Sequence, residues 1–143
     1  MEPLTVPGTL DSLKAIAEYV MAAAMVAGLN KKTSYRLRLA VDEIATNIIN
    51  YGYKAANREG ILILKADLDD HSLTIAIKDT GVPFNPTQKL TPDDLNKSLQ
   101  ERQIGGLGVY LALNSVDRFI YKQDGNQNCN ILIVNRDNGL GTS

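Results

Sequence analysis

The apolar residues of this chain change period twice, and that change limits the folds open to it more than any other feature. In the N-terminal third they recur at helical spacing. Leu13, Ile16, Ala17, Val20, Ala23, Ala24 and Ala27 mark one amphipathic helix, and Leu37, Val41, Ile44, Ile48 and Tyr51 step four, three, four, three along a second. Gly28 stops the first helix with Leu29 placed to fold back on it, Asn30 is positioned to cap the second, and the second should end near Gly52. The period then drops to two. Strands are expected over Ile61 to Leu68 and Leu73 to Lys78, where Leu73, Ile75 and Ile77 alternate with Thr74, Ala76 and Lys78 around an Asp69-Asp-His-Ser72 turn. A short extended lead-in, Leu4 to Pro7, precedes all of this.

Beyond Thr80 the pattern dissolves. The stretch 80–104 holds Pro83, Pro86 and Pro92 without a sustained apolar period, and a connection of that length in a compact domain suits a lid. Within it, Thr91-Pro-Asp-Asp94 carries the start signals of a short helix to about Leu99. A third long helix is expected from Leu107 to about Val116, then strands over Arg118 to Lys122 and Asn128 to Asn135 flanking an Asp124-Gly125 turn. Helices, hairpin, helix, hairpin is an α+β order. The expected fold is a two-layer sandwich, a mainly antiparallel sheet covered on one face by three helices. A length of 143 residues suits one domain, taken as 1–137, with 138–143 as a disordered tail.

Charge and cysteine content narrow the function. Lys and Arg number 15 against 16 Asp and Glu, so neither nucleic acid nor an anionic membrane is indicated as a partner. Cys129 is the single cysteine, which excludes an intrachain disulfide and suits a reducing compartment. No apolar run approaches the roughly 20 residues of a membrane span. The chain reads as a soluble cytoplasmic domain. Cys129, on a strand, is expected in the core, and His71, in a polar turn, at the surface.

Three short stretches carry the chemistry. In Glu43-Ile-Ala-Thr-Asn47, residues 43, 47 and 50 fall four and three apart, so Glu43, Asn47 and Asn50 form one column beside the apolar stripe. That column is either one wet rim of a pocket or an ordinary solvated helix face. In Asp79-Thr-Gly81, the carboxylate ends a strand; it accepts hydrogen bonds only and so can select an exocyclic amino group such as that of adenine, or it simply begins a turn. Gly81 would let the backbone pass close to a flat base. Gly105-Gly-Leu-Gly108 opens a helix and exposes amide groups at its positive end, as a phosphate cradle or as a lid hinge. The spacing matches neither a P-loop nor a dinucleotide fingerprint.

Together, and in this order, the three stretches resemble the nucleotide-binding domain of the GHKL ATPases, the superfamily of gyrase, the heat-shock chaperone, histidine kinases and mismatch-repair proteins. Within it the chain is most similar to the small anti-sigma-factor serine-protein kinases of the RsbW and SpoIIAB type. "LRLAVDEIATNIINYGY" looks like that group's asparagine-bearing helix, "IKDTGVPFNP" like its adenine-site turn, and "IGGLGVYLALNSVDRFIY" like its phosphate-side helix and following strand. The resemblance runs from Leu4 to Val134 and implies a Bergerat-type ATP-binding fold. It also implies ATP and Mg²⁺ as cofactors, with Asn47 as metal ligand, Asp79 on the adenine amino group and Gly81 behind the base. Asn50 would join the nucleotide site, and Gly105, Gly106, Leu107 and Gly108 would shape the phosphate end. Glu43 would be the general base of a serine kinase, and Arg102 would steady the transferring charge. Tyr51 stands where the group often has histidine, Pro83 where a second glycine is usual, and Asn85 where aspartate is usual.

The function implied is an ATP-dependent protein serine kinase and anti-sigma factor. It would phosphorylate a small anti-anti-sigma (STAS-type) partner, hold a sigma factor and so regulate transcription. The alternative is a non-catalytic ATP-binding module acting by sequestration alone. Small members of the group are often dimers, so a homodimer is a further expectation.

Overall fold

The computed structural model describes residues 1–84 and 112–136. Strand β1 (Leu4–Pro7) leads through a single 3₁₀ turn into α1 (Leu13–Ala27), followed by α2 (Lys31–Asn47), a π-helical segment (Ile48–Lys54), β2 (Ile61–Leu68), β3 (Ser72–Asp79), β4 (Arg118–Asp124) and β5 (Gln127–Asn135). The strands form one sheet in the order β1-β2-β3-β5-β4, antiparallel at every pairing. α1 packs on β2 and β3, α2 packs on β5, and the two helices pack on each other. The α+β sandwich expected from the sequence is thus observed, with two long helices on one sheet face among the described residues.

The start and stop signals act as read. Gly28 takes φ 74° and donates to the carbonyls of Ala24 and Met25, and the Leu29 N–H reaches back to Ala24 O at 3.1 Å. Only a residue free to adopt the left-handed region ends a helix this way without strain. Asn30 caps α2, its Oδ1 accepting from the Thr33 N–H at 2.8 Å. Gly125, at φ 63°, turns the β4–β5 hairpin. Of the third expected helix, Ala112 and Leu113 are helical and a turn follows at Asn114, so it closes before Val116. The rest of that helix, the short helix at 91–99, the lid beyond Phe84 and the tail at 138–143 lie outside the described residues.

The core lies between the helices and the inner sheet face. Leu62 and Leu64 of β2, Leu73, Ile75 and Ile77 of β3, and Leu132 and Val134 of β5 meet Ile16, Val20, Leu37, Val41 and Ile44, all essentially solvent-free. Each such side chain contributes about 1.5–3 kcal/mol relative to exposure.

Two expectations are corrected. The apolar stripe of α2 loosens beyond Ile44: Ile48 is only half-buried, packed against the edge of the core, and Tyr51 is half-buried too. The π segment widens the turn, as the Asn50 O to Ala55 N and Tyr53 O to Arg58 N hydrogen bonds show, and in it Ile49 and Tyr53 are the fully buried residues. Cys129 is not a core residue. Alternation along β5 buries Asn128, Asn130, Leu132 and Val134, which puts Cys129 on the outer face, in register with Lys78 and Lys122. His71 is exposed, as expected. Among the described residues no helix is long and apolar enough to cross a membrane.

Candidate nucleotide site

Along β3 the inward positions run Leu73, Ile75, Ile77 and then Asp79; along β5 they run Val134, Leu132 and then Asn130 and Asn128. The strands are antiparallel and in register, with Asp79 opposite Asn128 and Ile77 opposite Asn130. The inner sheet face therefore turns polar at one end. The end of α2 and the π segment arch over that end and close a pocket lined by Asn47, Ile48, Tyr51, Gly52, Asp79, Val82, Phe84, Asn128 and Asn130.

Asp79 is 4% exposed. Its Oδ1 accepts from the Gly81 N–H at 2.9 Å and from Asn128 Nδ2 at 3.0 Å, whereas Oδ2 is buried with no hydrogen-bond partner among the described residues. Burial pushes the Asp79 carboxyl above its ordinary value, and the hydrogen bonds from Asn128 and Gly81 pull it back. Asn130 Oδ1 is a second buried acceptor with no such partner. Buried polar atoms are nearly always paired, so two orphaned acceptors on one pocket mark a place for a ligand that offers N–H groups, or for ordered water.

Asn128 uses both ends of its amide. Nδ2 also donates to Gly81 O at 3.0 Å, and Oδ1 accepts from the Tyr121 hydroxyl on β4 at 2.8 Å. The Tyr121 phenol is raised by burial and by the Asp79 charge, against the pull of the Phe84 backbone N–H.

On the helical wall, Asn47 Nδ2 donates to Glu43 O at 3.0 Å and to Glu43 Oε2 at 3.2 Å. This leaves Asn47 Oδ1 as the amide's remaining acceptor, a hard oxygen of the kind Mg²⁺ takes. The turn after β3 is clamped to the π segment: the Val82 N–H donates to Gly52 O at 3.0 Å, and Gly81 lies directly against the Gly52 backbone. Tyr53 braces the same corner from beneath. Its hydroxyl accepts from the Thr80 N–H at 2.9 Å and donates to Ile61 O at 2.8 Å, and its ring fills a slot that only glycine leaves open at positions 8 and 60.

Of the residues singled out in the sequence, Asp79 and Asn47 line one pocket and Glu43 is bonded to Asn47 at its edge. Gly81 sits beside Asp79 and packs on Gly52, while Asn50, carried round by the π segment, is not among the lining residues. Arg102, Gly105, Gly106, Leu107 and Gly108 lie outside the described residues. Asn128, Asn130 and Tyr121 were not anticipated. Their signal was present in β5, where Asn128 and Asn130 share the parity of Leu132 and Val134 and so occupy core-facing positions with polar side chains.

A model of the histidine kinase-like ATPase domain matches residues 6–134. Serine-protein kinase RsbW of Staphylococcus aureus strain MSSA476 is 26% identical over 126 residues, 85% of this chain and 79% of that protein. RsbW of strain MRSA252 is 25% identical over the same shares. Among solved structures, the RsbU and RsbW domains of a Mycobacterium tuberculosis protein share the fold with a TM-score of 0.62 at 14% identity, over 94% of this chain; this chain spans 32% of that one. The histidine kinase AdeS of Acinetobacter baumannii shares it with a TM-score of 0.51, also at 14% identity, over 96% of this chain and 70% of the other.

Proposed function

The chain belongs to the histidine kinase-like ATPase domain family, and on that premise we propose that it is an ATP-binding serine-protein kinase of a partner-switching system. In this reading residues 1–137 form one domain that transfers a phosphoryl group to a serine of a small anti-anti-sigma (STAS-type) protein and holds a sigma factor in the alternate state. The observation that carries the nucleotide half is Asp79 Oδ2, a buried carboxylate oxygen without a partner on the pocket wall. An acceptor of that kind suits the amino group of adenine and disfavours the carbonyl of guanine. The protein half rests on the similarity to RsbW, named a serine-protein kinase.

The residues present fit the cofactors. Asn47 Oδ1 would hold Mg²⁺, its Nδ2 anchored on Glu43. Among the described residues no group of three or more His, Cys, Asp or Glu side chains could hold a metal, so the remaining ligands would be phosphate and water oxygens, as is usual for this ion. When bound, ATP with Mg²⁺ supplies the γ-phosphoryl group and the counter-charge on the phosphates. Glu43 would hold the hydroxyl proton of the partner's serine as general base; Oε2 is engaged by Asn47, which leaves Oε1 for that proton. Arg102 and the glycines at 105, 106 and 108, with Leu107, would attend the phosphates.

The test is phosphoryl transfer itself: the chain, ATP, Mg²⁺ and the cognate small partner, with phosphoserine sought by mass spectrometry. Phosphoserine on the partner, formed about 10²- to 10⁴-fold more slowly with Glu43→Gln, supports the kinase. Tight ATP-dependent association without phosphoserine would replace it with a module that acts by occupancy alone.

A further inference from the structure

We propose that Asn128 is a positioning residue that aims the Asp79 carboxylate at the base, and that the Tyr121 hydroxyl holds Asn128 in the amide orientation this requires; the inference rests on the adenine-nucleotide reading of the pocket. Asp79 and Asn128 are cross-strand partners on the inner sheet face, Asp79 4% and Asn128 3% exposed. The terminal torsion of an aspartate is broad, so the plane of an isolated carboxylate swings. Here two donors converge on Oδ1, the Gly81 N–H at 2.9 Å and Asn128 Nδ2 at 3.0 Å, and they fix that plane. Oδ2 is then left as the atom presented to the pocket.

The orientation of the Asn128 amide follows from its partners. Nδ2 lies 3.0 Å from each of two acceptors, Asp79 Oδ1 and Gly81 O, and Oδ1 lies 2.8 Å from the Tyr121 hydroxyl. Turned over, the amide oxygen would face a carboxylate and a carbonyl, and the Asp79 charge would lose a donor inside a low-dielectric site. The hydrogen bonds run in one direction, from Tyr121 O–H to the Asn128 amide and on to the Asp79 carboxylate. Each polarises the next toward the negative charge. A side chain present only to fill the strand would need none of this. Leucine would fill the same space at a position where β5 is otherwise apolar from Leu132 onward.

The experiment is a calorimetric titration of the full chain, with Mg²⁺, against ATP and against purine riboside triphosphate, which lacks only the 6-amino group. The parent is expected to prefer ATP by about 10- to 100-fold, the worth of one hydrogen bond to a charged acceptor. Asn128→Leu should bring that preference within about threefold, through a loss of ATP affinity at nearly constant affinity for the analogue. Tyr121→Phe, which removes one hydroxyl and leaves the ring, should lower it by about three- to fivefold, and it decides the matter if Asn128→Leu does not fold. A fall in both affinities at constant ratio would mark Asn128 as structural and overturn the inference, as would a parental ratio in both variants. A parent that does not prefer ATP at all would instead overturn the adenine reading on which the inference rests.

Discussion

Gly81 stands so close to Gly52 that a Cβ added to Gly81 would lie 2.9 Å from the Cα, C and O atoms of Gly52. The contact joins the two walls of the pocket, the turn after β3 and the π segment after α2, backbone to backbone. It supplies a reason for glycine at position 81 whatever faces its other side.

The relation is not symmetrical, and that gives a test. A Cβ on Gly52 would meet Gly81 Cα at 3.6 Å, an ordinary contact. Gly81→Ala should therefore destabilise by about 1–3 kcal/mol, since backbone must move to admit the methyl group, while Gly52→Ala should cost far less. Thermal melting of both variants checks this; equal losses would mean that the two walls do not meet as described.

Asp79 should trade stability for binding. Burial raises its folded carboxyl above the unfolded value of 3.8. For a raised group the stabilising contribution is fully present below the unfolded value and is lost as pH rises through the folded one, so at neutral pH the buried charge is a cost. Asp79→Asn keeps an oxygen for the Gly81 N–H and Asn128 Nδ2 and removes the charge. Its melting temperature should exceed the parent's at pH 7 to 8, with the advantage shrinking as pH falls toward 4. A difference independent of pH, or a variant less stable than the parent at neutral pH, would contradict it.

Tyr53 should matter through one oxygen. Tyr53→Phe keeps the ring in the slot beside Gly8 and Gly60 but strips a partner from the Thr80 N–H and the Ile61 carbonyl. A loss of about 1–3 kcal/mol in chemical denaturation is expected, the cost of leaving part-buried groups unpaired. A change within about 0.5 kcal/mol would show that water satisfies both groups.

Much of this architecture was legible in the chain. The β2–β3 alternation gave both strands within a residue of their ends, and Gly28 and Asn30 marked the break between the helices because each does one local job that neighbours do not alter. What escaped were features that local rules do not encode. The π segment has no signal in the helical period; it buries Ile49 and Tyr53 fully, leaves Ile48 and Tyr51 half-buried, and leaves Asn50 outside the pocket lining. Period and spacing leave Asp79 and Asn47 as separate candidates, and only the resemblance joined them in one nucleotide site; their meeting in one pocket depends on the sheet order, which sequence period does not specify. Asn128 and Asn130 were readable in principle from strand parity, yet polar residues at the start of a strand ordinarily signal the turn before it.

Asn47 and Glu43 should separate metal from base. Asn47→Ala removes the free amide oxygen and should abolish the dependence of ATP affinity on Mg²⁺. Glu43→Gln keeps an acceptor for Asn47 Nδ2 and should bind Mg²⁺-ATP normally, while transfer slows by about 10²- to 10⁴-fold. Titrations with and without Mg²⁺, and single-turnover assays, distinguish the two. If neither substitution changed binding or turnover, the end of α2 would not serve the site.

The central claim is that the polar end of the sheet, centred on Asp79, is an adenine site. Titrating the parent and Asp79→Asn with Mg²⁺-ATP and Mg²⁺-GTP tests it most directly. The parent should bind ATP well and GTP poorly, and Asp79→Asn should weaken ATP by about 10- to 100-fold, the worth of one charge-assisted hydrogen bond. Equal affinity of the parent for the two nucleotides, or an unchanged ATP affinity in Asp79→Asn, would contradict it.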